Sequence, residues 1–155
     1  MDRIVGIGDG IISNNIDEVI KTFALASCVA VCAYHPSKNI AGMAHIALPT
    51  NRSEDKNSNP YYYADTAVPL LINNMCRRYN LSNNELDIKI FGGANSIRHD
   101  DVFNIGRSNI QAVRVALEKL ELKCRMAETG GTISRTIEMS VSTGAIKVFT
   151  QPINI

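Results

Sequence analysis

Between Thr22 and Thr50 the chain carries two apolar runs rich in small residues, "FALASCVAVCAY" and "NIAGMAHIALP", separated by "HPSK". Each run reads as extended structure bounded by turn residues, and together they predict an antiparallel hairpin. Pro36 presets its own φ and Asn39 tolerates the left-handed conformation, which favours a four-residue loop over 36–39. That loop pairs His35 with Ile40 and His45 with Ala30, and sets Cys28 against Ala47. Cys28 and His45 then lie on one face of the sheet as diagonal neighbours, roughly 7–8 Å apart at Cα. A two-residue loop pairs them directly, and a three-residue loop sends them to opposite faces.

The hairpin therefore raises a chemical question. Free cysteine is among the most buried residue types and usually packs as a small hydrophobe. A cysteine with a histidine elsewhere in the chain is also the minimal set for nucleophilic catalysis. The hairpin alone leaves both readings open. The other three cysteines, Cys32, Cys76 and Cys124, read as structural thiols. Cys28 and Cys32 on one strand stand about 13 Å apart at ~3.3 Å per residue. A disulfide tolerates less than about 7 Å, and no C-x-x-C pair suggests zinc. A redox or metal role for the pair is thereby disfavoured.

At 155 residues the chain has the length of one domain, 1–155, with no linker or repeat. A net charge of +1 gives no electrostatic reason to expect nucleic acid as a partner. The longest apolar run, residues 23–34, is too short for membrane insertion and the N-terminus lacks a signal-peptide core, so a cytoplasmic location is expected. "DRIVGIG" reads as a strand, "DGIISNN" as turns, and residues 49–63 as a long surface loop. A first helix is expected with Asp65 as its cap, Pro69 in its first turn and Val68, Leu71, Ile72, Met75 and Tyr79 as its apolar stripe. "LDIKIFGG" is a strand, and a second helix carries Ile110, Val113, Leu117 and Leu120 on one face. "KCRMAET", "TISRTIEMSV" and "AIKVFTQPI" complete about seven strands, giving an α/β layered sandwich of mixed sheets with two main helices.

Several blocks resemble the CheD family of bacterial chemoreceptor glutamine deamidases. They are Thr22, "FALASCVAV", "GMAHIALP", "YADTAV" (63–68), "KIFGGAN" (89–95), "NIGRSNI" (104–110), "ETGGTISRT" (128–136) and "STGAIKV" (142–148). They occur in the family's order along nearly the whole chain. The resemblance implies Cys28 as nucleophile, His45 as general base and acid, and Thr22 as the residue that orients the imidazole. It implies hydrolysis of receptor glutamine amides to glutamate, without cofactor or metal. The fold it implies is that of the cytotoxic necrotising factor-type deamidases, and the partners are methyl-accepting chemotaxis receptors and a CheC-type phosphatase. The alternative is a non-catalytic regulatory partner of that phosphatase and of receptors. The protein alone is expected to be monomeric. Where the family usually has glycines this chain has Ala24 and Ala26, whose methyls are expected to narrow the site.

The chemistry needs an imidazole, because a thiol is only a few per cent ionised at neutral pH. It also needs oxyanion donors, for which backbone N–H groups around Ser27 and Cys28 are the candidates. Gly92 and Gly93 are candidates for holding substrate. Three further features invite roles. "GIGDG" lacks the G-x-G-x-x-G spacing of a nucleotide loop. His35, before the turn, is expected in solvent and His99 among charges in a loop, and neither replaces His45. Tyr61, Tyr62 and Tyr63 either grip a partner or cover the sheet edge.

Overall fold

The computed structural model describes residues 1–52, 58–95 and 104–153. In order, its elements are β1 (Asp2–Ile4), β2 (Gly10–Ser13), β3 (Val19–Leu25), β4 (Val29–His35), β5 (Ile40–Ile46), α1 (Ala64–Tyr79), β6 (Asp87–Gly92), α2 (Ile105–Lys119), β7 (Cys124–Thr129), β8 (Ile133–Ser140) and β9 (Ile146–Pro152). They form a four-stranded sheet, β1-β3-β8-β9, and a five-stranded sheet, β2-β5-β4-β6-β7. Both sheets are mixed, since β1 runs parallel to β3 and β6 parallel to β7.

The hairpin β4–β5 explains why its two runs are apolar throughout. Every residue of both strands is buried. Val29, Val31 and Ala33 face α1 and α2, while Ala30, Cys32 and Tyr34 face the other sheet. The molecule is thus three layers, helices on the five-stranded sheet and that sheet on the four-stranded one, with one apolar cluster at each junction. Leu71, Ile72 and Met75 of α1 are fully buried, each stabilising the helix docking by about 1.5–3 kcal/mol. The loop chemistry sets the expected register: His35 pairs with Ile40 and Ala30 with His45, and Asn39 adopts φ +53°.

β3 is interrupted by a bulge. Thr22 pairs with Ile137 but Leu25 with Arg135, so one extra residue sits on β3. That residue resets the pleat, letting both Thr22 and Leu25 face inward and fully buried. Ala24 takes φ +54°, the left-handed region where glycine is favoured. It is exposed, so what its methyl costs there is backbone strain.

Several expectations are corrected. "GIIS" is the edge strand β2, paired with β5, and not part of a turn; four residues are too few for alternation to show. Asp65 does not cap α1. The helix starts at Ala64, and its first N–H groups donate to Leu48 and Pro49 carbonyls (2.9 and 3.2 Å). Asp65 Oδ1 accepts from the Asn51 N–H instead, and Pro69 falls in the second turn. His35 is buried, not solvated, with Nε2 2.8 Å from Glu85 Oε2. The Lys38 N–H donates to its Nδ1, so the proton lies on Nε2. Tyr61 lies over β2, where a Cβ on Gly10 would come within 2.4 Å of its ring. Of the two roles, Tyr61 covers the sheet edge. His99 lies outside the described residues.

Candidate active site

Three inward-facing positions converge between the sheets. β3 supplies Thr22, β5 supplies His45, and Cys28 stands one residue before β4. Thr22 is fully buried and His45 is 3% exposed, whereas Cys28 is half-buried and so open on one side. Cys28 packs on the inter-sheet cluster with Ala30 and Cys32. His45, opposite Ala30, shares its parity with Ala41 and Met43 of the same cluster. Sulfur and imidazole therefore lie on the same, inter-sheet face.

The hydrogen bonds at Thr22 settle which nitrogen of His45 carries the proton. Thr22 Oγ1 lies 2.7 Å from the Val5 carbonyl oxygen and 2.6 Å from His45 Nδ1. A carbonyl only accepts, so the single hydroxyl proton goes to Val5. Thr22 Oγ1 must then accept from Nδ1–H, which leaves the lone pair on Nε2. Nε2 is buried and has no hydrogen-bond partner. The thiol is not hydrogen-bonded to it in this structure, an arrangement common in free enzymes, whose catalytic contacts tighten on binding.

Burial sets the charge states. It pushes the Cys28 thiol up and holds the His45 imidazolium below its usual range, partly opposed by the Val5 carbonyl and the Asp9 carboxylate. Both shifts favour the neutral thiol–imidazole pair over a preformed ion pair. Cys32, buried completely, is pushed up to about 12 and is inert as a nucleophile near neutrality. All four cysteines are free thiols.

"GIGDG" turns out to be the brace of the histidine strand. The Gly8 N–H donates to the His45 carbonyl at 2.9 Å, and the Asp9 carbonyl accepts the His45 N–H at 3.1 Å. The Asp9 N–H goes to the Gly6 carbonyl and the Gly6 N–H to Asp9 Oδ2. With these N–H groups spent inside the protein, no phosphate cradle remains.

Gly92 and Gly93 lie behind the nucleophile. The Gly93 N–H donates to the Cys28 carbonyl at 2.8 Å, so it is not available to an oxyanion. Gly92 has φ +106°, and a Cβ there would sit 2.2 Å from the Cys28 oxygen. The "TGG" turn leans on the same place: the Gly130 N–H donates to the Gly92 carbonyl, and buried Arg135 reaches the Gly92 and Gly130 carbonyls and Glu128. Ser27 lies in the bend before Cys28 and contributes its carbonyl to a bond described below. Sequence reasoning missed Val5, Asp9 and Arg135. The first acts through a backbone carbonyl, which any residue type supplies.

A cavity of about 600 Å³ between α1 and α2, lined by Pro49, Pro69, Val115 and Lys119 among others, includes none of the three converging residues. Among the described residues no group of three or more His, Cys, Asp or Glu is arranged to hold a metal ion. None of the described helices is long and apolar enough to cross a membrane.

Comparison with known proteins shows the family and, for the fold, likeness to two mixed α/β structures. The family model described as CheD, chemotactic sensory transduction, matches residues 47–150. The probable chemoreceptor glutamine deamidase CheD of Syntrophotalea carbinolica is 40% identical over 150 residues, covering 95% of this chain and 93% of that protein. The chemoreceptor glutamine deamidase CheD of Thermotoga maritima is 36% identical over 148 residues, 96% of this chain and 91% of its own. Among solved structures, YlmD from Geobacillus stearothermophilus superposes with a TM-score of 0.54 at 12% identity, covering 79% of this chain. The hypothetical protein YfiH from Bacillus licheniformis gives 0.52 at 14% identity, covering 77%. The chain spans about half the length of these two, 50% and 49%, and the likeness is one of fold alone.

Proposed function

The chain belongs to the CheD family, and on that premise we propose that it is a glutamine deamidase of chemoreceptors that works through a Cys28 thioester. His45 is the proton carrier and Thr22 its orienting residue. The observation that carries this reading is the Val5–Thr22–His45 relay. It holds the proton of Nδ1 on Thr22, so that the neutral imidazole, which burial favours, carries its lone pair on Nε2 on the face that also bears the half-buried thiol.

The reaction starts from the neutral pair. A substrate glutamine places its side-chain amide carbon against Sγ. His45 Nε2 takes the thiol proton as the C–S bond forms, and the amide oxygen becomes an oxyanion held by backbone N–H groups. The imidazolium then protonates the amide nitrogen, because NH₂⁻ cannot leave unassisted. Ammonia departs and the acyl group remains on sulfur. Water enters, His45 removes its proton, and collapse of the second tetrahedral species releases glutamate and restores the thiol. Throughout, Nδ1–H stays on Thr22 Oγ1. A hydroxyl adds no compensating charge, so Thr22 sets the tautomer while stabilising the imidazolium less than a carboxylate would.

The site's openness at Cys28 suits a side chain presented by a protein, which needs no deep cavity. Conversion of a neutral amide to a carboxylate alters the electrostatics of the receptor's signalling region. The same membership makes the cytoplasm the proposed compartment and a CheC-type phosphatase a proposed partner. Kinship with the cytotoxic necrotising factor-type deamidases belongs to this reading too, supported by a cysteine entering a buried strand beside a histidine on its neighbour.

The test is mass spectrometry of a receptor fragment incubated with wild type, Cys28→Ala and His45→Ala proteins. A gain of about one dalton per converted amide, from NH₂ replaced by OH, is expected with wild type alone. Equal conversion by the Cys28→Ala protein would refute the assignment.

A further inference from the structure

The "NIGRSNI" block finds no place in the relay, yet its Asn109 has no exposed surface. Its Nδ2 donates to the Ser27 carbonyl at 2.9 Å and to the Ala47 carbonyl at 3.0 Å. Two carbonyls can be served only by the amide nitrogen, so the side-chain orientation is unambiguous. Oδ1 is left buried without a partner. A leucine would fill similar space but leave the Ser27 and Ala47 carbonyls without their donor, so the asparagine is explained by those two bonds and not by packing alone.

Its two bonds have a geometric consequence. In a trans peptide the C=O and the following N–H point in opposite directions across one plane, and the chain has no cis peptide bond among the described residues. Holding the Ser27 carbonyl therefore aims the Cys28 N–H. In the same way the Ala94 N–H, 2.7 Å from the Ala26 carbonyl, aims the Ser27 N–H. α2 packs on the face of β4 opposite the one that carries Cys28. The Cys28 N–H is thus turned away from α2, toward the side of the sheet where the sulfur lies. The docking of α2 is close: a Cβ on Gly106 would sit 2.1 Å from the Ala94 carbonyl oxygen. The Ala47 bond ties the same amide to the end of the strand bearing His45.

Resting on the deamidase reading above, we propose that Asn109 is a positioning residue that presets the oxyanion hole by locking the Ser27–Cys28 peptide plane. It touches neither substrate nor the relay. Its effect is confined to steps that build negative charge on the amide oxygen.

Two reactions of Cys28 separate that role from mere support. Deamidation forms an oxyanion; alkylation by iodoacetamide needs the sulfur but forms none. In Asn109→Ala, kcat for a receptor fragment is expected to fall about 10²–10³-fold, as for loss of an oxyanion donor. KM, and the alkylation rate with its pH dependence, should stay within about threefold. Unchanged kcat, or kcat and alkylation falling together, overturns the proposal. Asn109→Asp, of equal size but without the donor, is measured alongside in case the alanine variant does not fold. Wild type gives a check that needs no variant. When a peptide carrying a glutamine-derived aldehyde forms a hemithioacetal on Cys28, the Cys28 amide proton should move downfield, and an unmoved resonance refutes the role. A wild type that leaves receptor amides unconverted sinks the deamidase reading. A wild type that converts them beside an equally fast Asn109→Ala sinks only the positioning role.

Discussion

Replacing Thr22 by valine removes one hydroxyl and keeps the branched shape, so it interrogates the relay directly. In the parent the hydroxyl satisfies two buried groups, the Val5 carbonyl at 2.7 Å and Nδ1–H at 2.6 Å. Stranding buried polar groups costs about 1–3 kcal/mol each. Part of that is recoverable here, because the Val5 carbonyl also acts on the His45 ring directly and is the natural acceptor once the hydroxyl is gone. A net stability loss of about 1–3 kcal/mol is therefore expected, lowering Tm by several degrees for a chain of this length. The catalytic loss is bounded by the same substitute bond. Abolishing an orienting carboxylate costs about 10⁴ by releasing the wrong tautomer, whereas weakening an outer partner costs about 10–100-fold. The second figure applies, since a carbonyl remains to hold Nδ1–H. Deamidation of a receptor fragment should show the loss in kcat with KM little changed, and Thr22→Ser, which keeps the hydroxyl, should return most of the rate. A Thr22→Val enzyme with undiminished kcat, or a Thr22→Ser enzyme as slow as the valine variant, would refute the tautomer argument.

Three further outcomes follow, two from the site and one from the bulge beside it. With the His45 pKa depressed by burial, the acid limb of kcat/KM should have its midpoint below the ordinary value of about 6.5. Activity is lost as the pH falls through that midpoint, because protonated Nε2 cannot accept the thiol proton. Cys28, raised by burial, should show alkylation that keeps climbing beyond pH about 8.5; a plateau near pH 6 would reveal a preformed thiolate and contradict the neutral pair. Ala24→Gly relieves a left-handed alanine at φ +54°, worth about 1–2 kcal/mol, against about 0.4–1 kcal/mol of added chain entropy. A thermal melt should rise by up to roughly 6 °C, and a lower Tm would show that the bulge does not strain Ala24.

The residues that were legible in the chain, and those that were not, differ in which atoms they contribute. The register of β4 and β5 could be worked out because Pro36 and Asn39 are side-chain types that impose backbone angles, and Asn39 indeed takes φ +53°. Cys28 and His45 stood out because reactive groups are rare among aliphatic neighbours, and the pleat then put them on a common face. By contrast, Asp65 was expected to cap α1 and was displaced by the carbonyls of Leu48 and Pro49. "GIGDG" lacks the spacing of a nucleotide loop, but its role as a brace is not written in its residues, because the Gly8 N–H goes to the distant His45 carbonyl. His35, next to a turn, was placed in solvent because nothing local announces that Glu85 will fold over it from fifty residues away. In each case the deciding partner is a main-chain atom or a group distant in the chain, and neither leaves a residue-type signature nearby. The relay has the same composition: its histidine can be read by type, whereas its proton is set by the carbonyl of Val5, a position where many apolar side chains would present the same oxygen. Substitutions at Val5 that preserve the backbone should accordingly leave catalysis intact, while shifts of β1 that move that oxygen should not.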